Sequence, residues 1–215
     1  MIKRIGSRTL EFDSAAILGY ASVAGEKEAQ GPLGKGFDKI ILDPYAGEET
    51  FEDAESGLQF EAMTLALNKC GLETGEIDVL FSGDLLNQCV GSSFAAKLLE
   101  IPYLGQYAAC STMAQCLLSA AVFTSSGAAN MAICATSSHF CSAERQYRFP
   151  LEYGSVRTPT AQWTVTGAGC CIVGSDEQAR LKIRRATPGV IRDYGIADAN
   201  NMGAAMAPAM CIIEP

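Results

Sequence analysis

The sequence predicts an α/β protein, with a mostly parallel five-stranded sheet, helices on both faces and one buried helix. Three observations carry this. Strand-like and helix-like segments alternate as β-α-β-α-β-α-β from Ala15 to Thr136, the order that generates a layered parallel sheet. The span Ile101 to Ala143 contains no Asp, Glu, Lys or Arg, as befits the centre of such a sheet. Within it, the helix Ser111 to Ser125 is rich in small residues and uncharged on every side, so burial all round is expected.

The elements follow in order. Ala15 to Ala24 (AAILGYASVA) is an opening strand closed by Gly25. Glu26 to Glu49 mixes Gly, Pro and charge around the short apolar run Ile40 to Leu42 and reads as a long excursion loop. Phe51 to Cys70 is the clearest helix. Thr50 can cap it, Asp53 suits its positive end, and Gly71 fits the position just past its last turn. Ala54, Leu58, Ala62, Leu65 and Ala66 form its apolar stripe. Ile77 to Ser82 is a short buried strand, and a helix over Ser92 to Leu99 stops before Pro102. Strand Tyr103 to Ala109, helix Ser111 to Ser125 and strand Met131 to Thr136 come next. A strand pair, Thr164 to Gly174 and Leu181 to Thr187, follows a Pro-containing loop.

Composition narrows the function classes. Of 215 residues, 48% are hydrophobic and 19% charged, which indicates a globular chain with a large core. The net charge of −8, with the few basic residues gathering late as Lys182, Arg184 and Arg185, argues against a nucleic-acid partner. Nine cysteines form no C-x-x-C, no secretory signal precedes them, and reduced thiols in a cytosol-like compartment are expected. Adjacent Cys170 and Cys171 on a strand would point to opposite faces. A single histidine leaves a zinc site without support, and no metal or cofactor is expected. No transmembrane helix is evident, because Gly105, Gln106, Gln115, Gly127 and Asn130 interrupt the charge-free span. Phosphate-loop, dinucleotide and G-x-S-x-G signatures are absent or partial.

Candidate site residues gather at strand ends. Cys110, in YAACSTMAQC, sits at a strand-to-helix junction, where free N–H groups and the helix dipole favour a thiolate or another anion. Ser111 and Thr112 can cap that helix or donate to a ligand. Ser137, Ser138 and His139 follow the strand Met131 to Thr136, and Asp84 follows Ile77 to Ser82, at the carboxyl edge where open α/β sheets bind ligands. Each also has a plainer reading: a buried structural cysteine, a satisfied core histidine, a turn aspartate.

The order of Ala109-Cys110, a strand ending in small polar residues, and Gly167-Ala168-Gly169 resembles the thiolase superfamily, in particular its 3-ketoacyl-acyl-carrier-protein synthase III branch. GPLGKGFDKI, DPYAGEETFE, ACSTM, TSSHFCSAERQYRFPLEYGS, TAQWTVTGAG and DYGIADANNMGAAMAPA together resemble the stage V sporulation protein AD family. That resemblance implies the thiolase-like fold, with residues 1–178 as its N-terminal half and 179–215 as an incomplete start of the C-terminal half in a chain shorter than the family's. It implies a binder of dipicolinic acid, alone or with calcium, that associates with other stage V sporulation membrane-complex proteins. Such a protein would lie on the cytoplasmic side, peripheral to the spore inner membrane. Leu86, Asn87, Gln88, Cys89 and Val90 correspond to the synthase segment that reaches a partner subunit, which implies a homodimer. Cys110 corresponds to the synthase nucleophile and Gly167 to Gly169 to the strand beside it, while the partner His and Asn of those enzymes belong to the half that barely begins here. A ligand pocket at Cys110, Ser111, Thr112, Ser137, Ser138, His139 and Asp84, with Arg145 or Arg148 pairing a carboxylate, is therefore the expected function. Acyl transfer onto Cys110 is the alternative.

Overall fold

The computed structural model describes residues 1–144, 164–195, 197 and 202–211. The main sheet has seven strands. Six are ordered β4 (Lys39–Ile41), β3 (Ala15–Gly25), β8 (Gly167–Ser175), β7 (Met131–Ser138), β5 (Val79–Gly83) and β6 (Tyr103–Gly105), and β9 (Leu181–Lys182) pairs with β3. The pairs β3–β4, β5–β6 and β5–β7 are parallel, whereas β8 runs antiparallel to both β3 and β7. The sheet is thus mixed: β3 to β7 run one way, and β8, between β3 and β7, and the short β9, on β3, run the other.

A separate three-stranded sheet joins β1 (Ile2–Ile5), β2 (Thr9–Phe12) and β10 (Arg185–Ala186). The sequence pattern does not predict β1 and β2, because IKRI does not alternate and TLEF alternates over only four residues. Nor do Leu181–Lys182 and Arg185–Ala186 pair with the strand before them as one hairpin: the first adds to β3 and the second to β2.

Helix α1 (Glu26–Ala29) is a single turn after β3, and α2 (Phe51–Cys70) follows the excursion loop. The Asp53 N–H donates to the Thr50 hydroxyl at 3.1 Å, and Gly71 adopts φ 66°, so the expected cap and terminator of α2 are both present. With α3 (Val90–Leu99), α2 covers one face of the sheet; α4 (Thr112–Ser126) covers the other. The short helix α5 (Met202–Cys211) closes the described chain.

Alternation along the strands decides which residues meet which layer. Leu80, Ile133 and Ile172 pack with Leu58, Ala62, Met63 and Ala66 of α2. Val79, Phe81, Ala132, Cys134 and Val173 pack with Cys116 and Ala120 of α4. Cys170 belongs to the first cluster and Cys171 borders the second, as their adjacency on a strand requires. The burial expected around all of α4 is met on one side only. Thr112, Cys116, Ala120, Ala121 and Thr124 are buried, while Ala114 and Gln115 are exposed and Leu117 and Leu118 are partly covered. The three-stranded sheet meets α4 only toward its C-terminal half, where Ile2, Leu10, Phe12 and Ala186 pack with Ala121 and Val122.

Candidate functional site

The strands β3 to β7 end on one edge of the sheet, and every expected site residue except the Cys110 group hangs directly from it. Asp84 follows β5, Ser137 and Ser138 end β7, and His139 follows them. Cys110, Ser111 and Thr112 open α4 above the same edge, beyond the short β6.

The turn into α4 is tight. Ala109, immediately before Cys110, sits at φ 47°, a left-handed conformation that a non-glycine residue rarely adopts. Ala109 to Ser111 form a single 3₁₀ turn, and no side chain caps α4. The Thr112 hydroxyl is buried and fully engaged, donating to Ala109 O at 2.8 Å and accepting from the Ala108 N–H at 3.2 Å. Ser111 donates to Ala108 O at 2.8 Å but is exposed, as is Cys110. Cys110 is therefore not the buried structural cysteine that its apolar neighbours also allowed. Gly169 of β8 faces Met113, three residues beyond it, across 3.8 Å from the glycine's ideal Cβ position.

Gly83 explains how the turn can approach the sheet. A side chain on Gly83 would place its Cβ 1.9 Å from Gln106 O and 2.7 Å from a Thr112 methyl. Only a bare Cα lets the chain before α4 lie on the end of β5. The segment Leu86 to Val90 borders the same place, since the Cys89 thiol donates to Gln106 O at 3.4 Å. Gln88 and Cys89 lie consecutively at φ 58° and 55°, while Leu86 and Cys89 are buried and Asn87, Gln88 and Val90 face outward.

The remaining candidates form a second, closed neighbourhood. Asp84 is 2% exposed and accepts from the Leu86 N–H at 2.8 Å and the Ser92 N–H at 2.6 Å, tying the loop to the start of α3. Ser137 donates to Glu55 at 3.1 Å and accepts from Gln59 at 3.1 Å. Ser138 donates to Val165 O at 2.5 Å. His139 is fully buried: Nδ1 accepts from the Cys141 N–H at 3.1 Å, so Nε2–H donates to Pro44 O at 2.9 Å. Burial lowers its pKa, and both ring nitrogens are engaged in holding loops. Its ring stacks against both Phe51 and Phe140, with centroids 5.0 and 4.8 Å away, in a three-ring cluster, and Tyr45 stacks on Phe51 at 4.3 Å.

Two residues central to this neighbourhood are not among those the sequence singles out: Glu55 and Gln59 of α2, both 0% exposed. Glu55 accepts from Ser137 and Ser142, and Gln59 donates to Gly83 O, Ser92 and Ser137. Burial, with Asp84 and Glu52 nearby, raises the Glu55 carboxyl to about 7 against the opposing pull of its serines. The available signal was spacing, because Glu55 and Gln59 lie four apart and continue into Ala62 and Ala66 on a buried stripe. Arg145 and Arg148 lie outside the described residues. The cysteines 70, 89, 110, 116, 134, 141, 170 and 171 are free thiols, and burial raises Cys116 to about 12. Among the described residues no cluster of three potential metal ligands occurs, and no helix is long and apolar enough to cross a membrane.

Comparison with known proteins adds three findings. Residues 6–213 match the family described as Stage V sporulation protein AD (SpoVAD). The chain is 41% identical over 209 residues to Stage V sporulation protein AD of Bacillus subtilis (strain 168), covering 97% of this chain and 62% of that protein. It therefore spans less than two thirds of the curated relative's length. Among solved structures, a single-substitution variant of OleA from Xanthomonas campestris superposes with a TM-score of 0.59 at 14% identity, covering 94% of this chain and 71% of the other. The 3-oxoacyl-[acyl-carrier-protein] synthase III of Aquifex aeolicus VF5 gives a TM-score of 0.51 at 18% identity, covering 76% of this chain and 55% of the other. At such identities the likeness concerns the fold, which is that of thiolase-like synthases.

Proposed function

This chain belongs to the stage V sporulation protein AD family of sporulation proteins, and on that premise we propose that it binds dipicolinic acid for uptake into the spore. The observation that carries the reading is the open start of α4, where Cys110 and Ser111 are exposed and no side chain caps the helix. A helix N-terminus suits a carboxylate, and a dicarboxylate gains from its dipole and N–H groups together. The rings of Tyr45 and Phe140, both partly exposed on the same sheet edge, suit a planar aromatic acid. Calcium would accompany the ligand as its counter-ion rather than as a resident metal. Other stage V sporulation membrane-complex proteins are the proposed partners, at the cytoplasmic side of the spore inner membrane. A homodimer through the outward residues Asn87, Gln88 and Val90 completes the proposal.

Binding is favoured over catalysis because the acid–base candidates that the sequence offers are already engaged elsewhere. The single histidine has both nitrogens engaged, and both Asp84 oxygens hold backbone N–H groups. Acyl transfer remains the second reading, because an exposed thiol after a strained residue is the arrangement a nucleophile uses. Calorimetry with dipicolinate, paired with mass spectrometry after incubation with acyl-CoA, separates the two. Binding that Ser111→Ala or Cys110→Ala weakens is the expected outcome. A stable acyl adduct on Cys110 without dipicolinate binding would replace it with the enzymatic reading.

A further inference from the structure

The closed neighbourhood behind the sheet edge is joined to the open one in front of it. Gln59 holds the Gly83 carbonyl at 3.3 Å from one face, while Gln106 and Thr112 press on the same residue's Cα from the other. Glu55, one turn earlier on α2, holds Ser137 at the end of β7 and Ser142 in the turn beyond it. That turn is tied to the loop after β5, because the Glu144 N–H donates to Leu85 O at 2.8 Å. Asp84 then carries the connection to Leu86 and to Ser92 of α3, and Ser92 also accepts from Gln59. Two α2 side chains thus anchor the segment beside the Cys110 turn, 84–92, and the segment 137–144 that is tied to it.

We propose that Glu55 is the positioning residue of this site, holding segments 84–92 and 137–144 in place while its carboxyl group is neutral and loosening them when it ionises. The inference rests on the binding role proposed above for that site. Its physical basis is what faces the group. Asp84, from the segment after β5, and Glu52, one turn earlier on α2, are both acidic, and both oppose a negative charge on Glu55. His139, on the adjoining turn, has its pKa lowered by burial, which outweighs the opposing pull of Pro44 O, Glu52 and Glu28. Ser137 and Ser142 are the counterweight, since each donates to the carboxyl oxygens. Ionisation in a dry pocket beside like charges favours whatever state returns the carboxylate to water. The state within reach is separation of the two rim segments from α2, which requires no unfolding of the core.

Hydrogen exchange of the full chain, followed by mass spectrometry and corrected for intrinsic rates, tests this between pH 5 and pH 8. In the wild type, protection of 84–92 and 137–144 is expected to fall roughly tenfold per pH unit up to neutrality, then level off. Protection of the α2 core should change far less. Glu55→Gln should make the rim profile flat. Ser142→Ala, which removes a donor to the ionised form, should extend the falling range to higher pH and keeps the test decisive if Glu55→Gln fails to fold. A flat wild-type profile, an unchanged slope in Glu55→Gln, or no displacement in Ser142→Ala would overturn the proposal. Dipicolinate serves as the ligand probe: if it fails to protect the Cys110 turn while the rim profile behaves as stated, the binding role falls and the Glu55 role stands.

Discussion

Two polar neighbourhoods share one edge of this sheet and differ in how far their hydrogen bonds are spent. Behind the edge, Glu55, Gln59, Asp84, Ser92, Ser137 and Ser142 are all buried and bonded to one another or to backbone. In front of it, Cys110 and Ser111 are exposed at an uncapped helix start. Gln59 Oε1 is the exception, buried without a partner; because such groups are costly, the rest of the first neighbourhood is closed and holds things in place. The second faces water and can exchange water for a ligand at little cost to the fold. Polar residue types alone did not separate them; burial did.

The boundary between the two is Gly83, and breaking it gives the largest expected effect. Gly83→Ala drives a methyl group to 1.9 Å from a backbone oxygen that no rotamer change can move. Either Gln106 retreats with the Cys110 turn, or β5 shifts away from Gln59. Overpacking of this severity costs about 3 kcal/mol. A chemical-denaturation midpoint within experimental error of the wild type would show that the two neighbourhoods are not in contact through Gly83.

The next effect separates the closed neighbourhood by its charge. The Glu55 carboxyl is raised from 4.5 to about 7, so the folded state holds its proton over a range in which the unfolded chain has lost it. Stability is therefore fully retained below about pH 4.5 and declines as pH rises toward 7, with no further loss above. Between pH 5 and pH 8 the wild type should lose about 2 to 3 kcal/mol more than Glu55→Gln, whose amide does not titrate. Denaturation curves at the two pH values for both proteins supply the comparison, and equal losses would mean that Glu55 is not the group responsible.

The same contrast explains what was legible in the sequence. The strand and helix order was readable because α2 announces itself through Thr50, Asp53 and Gly71, and because the uncharged run from Ile101 to Ala143 supplies a core strand and one buried helix face. The Cys110 turn was readable from its junction. The reversed direction of β8 was not, since direction depends on a connection through residues 145–163 whose length permits either sense. The roles of Asp84 and Ser137 were readable only as polar residues at an edge; Asp84 ties its own loop to α3, whereas Gly83, Ser92 and Ser137 are engaged by Glu55 and Gln59, which reach them from α2 across sequence separations of 24 to 82 residues. Local pattern carries no record of such pairings. The outer side of α4 was legible in chemistry but not in outcome, because an apolar helix face predicts burial without naming what buries it.

The smallest expected effect on stability is also the sharpest test of the open neighbourhood. Ser111 is exposed and its one hydrogen bond, to Ala108 O, is local to the turn. Cys110 is exposed as well, so neither side chain holds the fold together. Ser111→Ala and Cys110→Ala should each change stability by no more than about 0.5 kcal/mol, the usual range for exposed positions away from structural features. If these positions serve a ligand, the same substitutions should weaken dipicolinate binding severalfold in calorimetry while the denaturation midpoint stays put. A residue that belonged to the closed neighbourhood would behave the opposite way: losing Gln59, for example, leaves Gly83 O, Ser92 and Ser137 short of a donor, and stability falls first. Should Ser111→Ala instead destabilise the protein by more than about 1 kcal/mol, the turn would have to be counted among the structural elements of the edge, and the distinction between holding and binding would fail at the residue where it matters most.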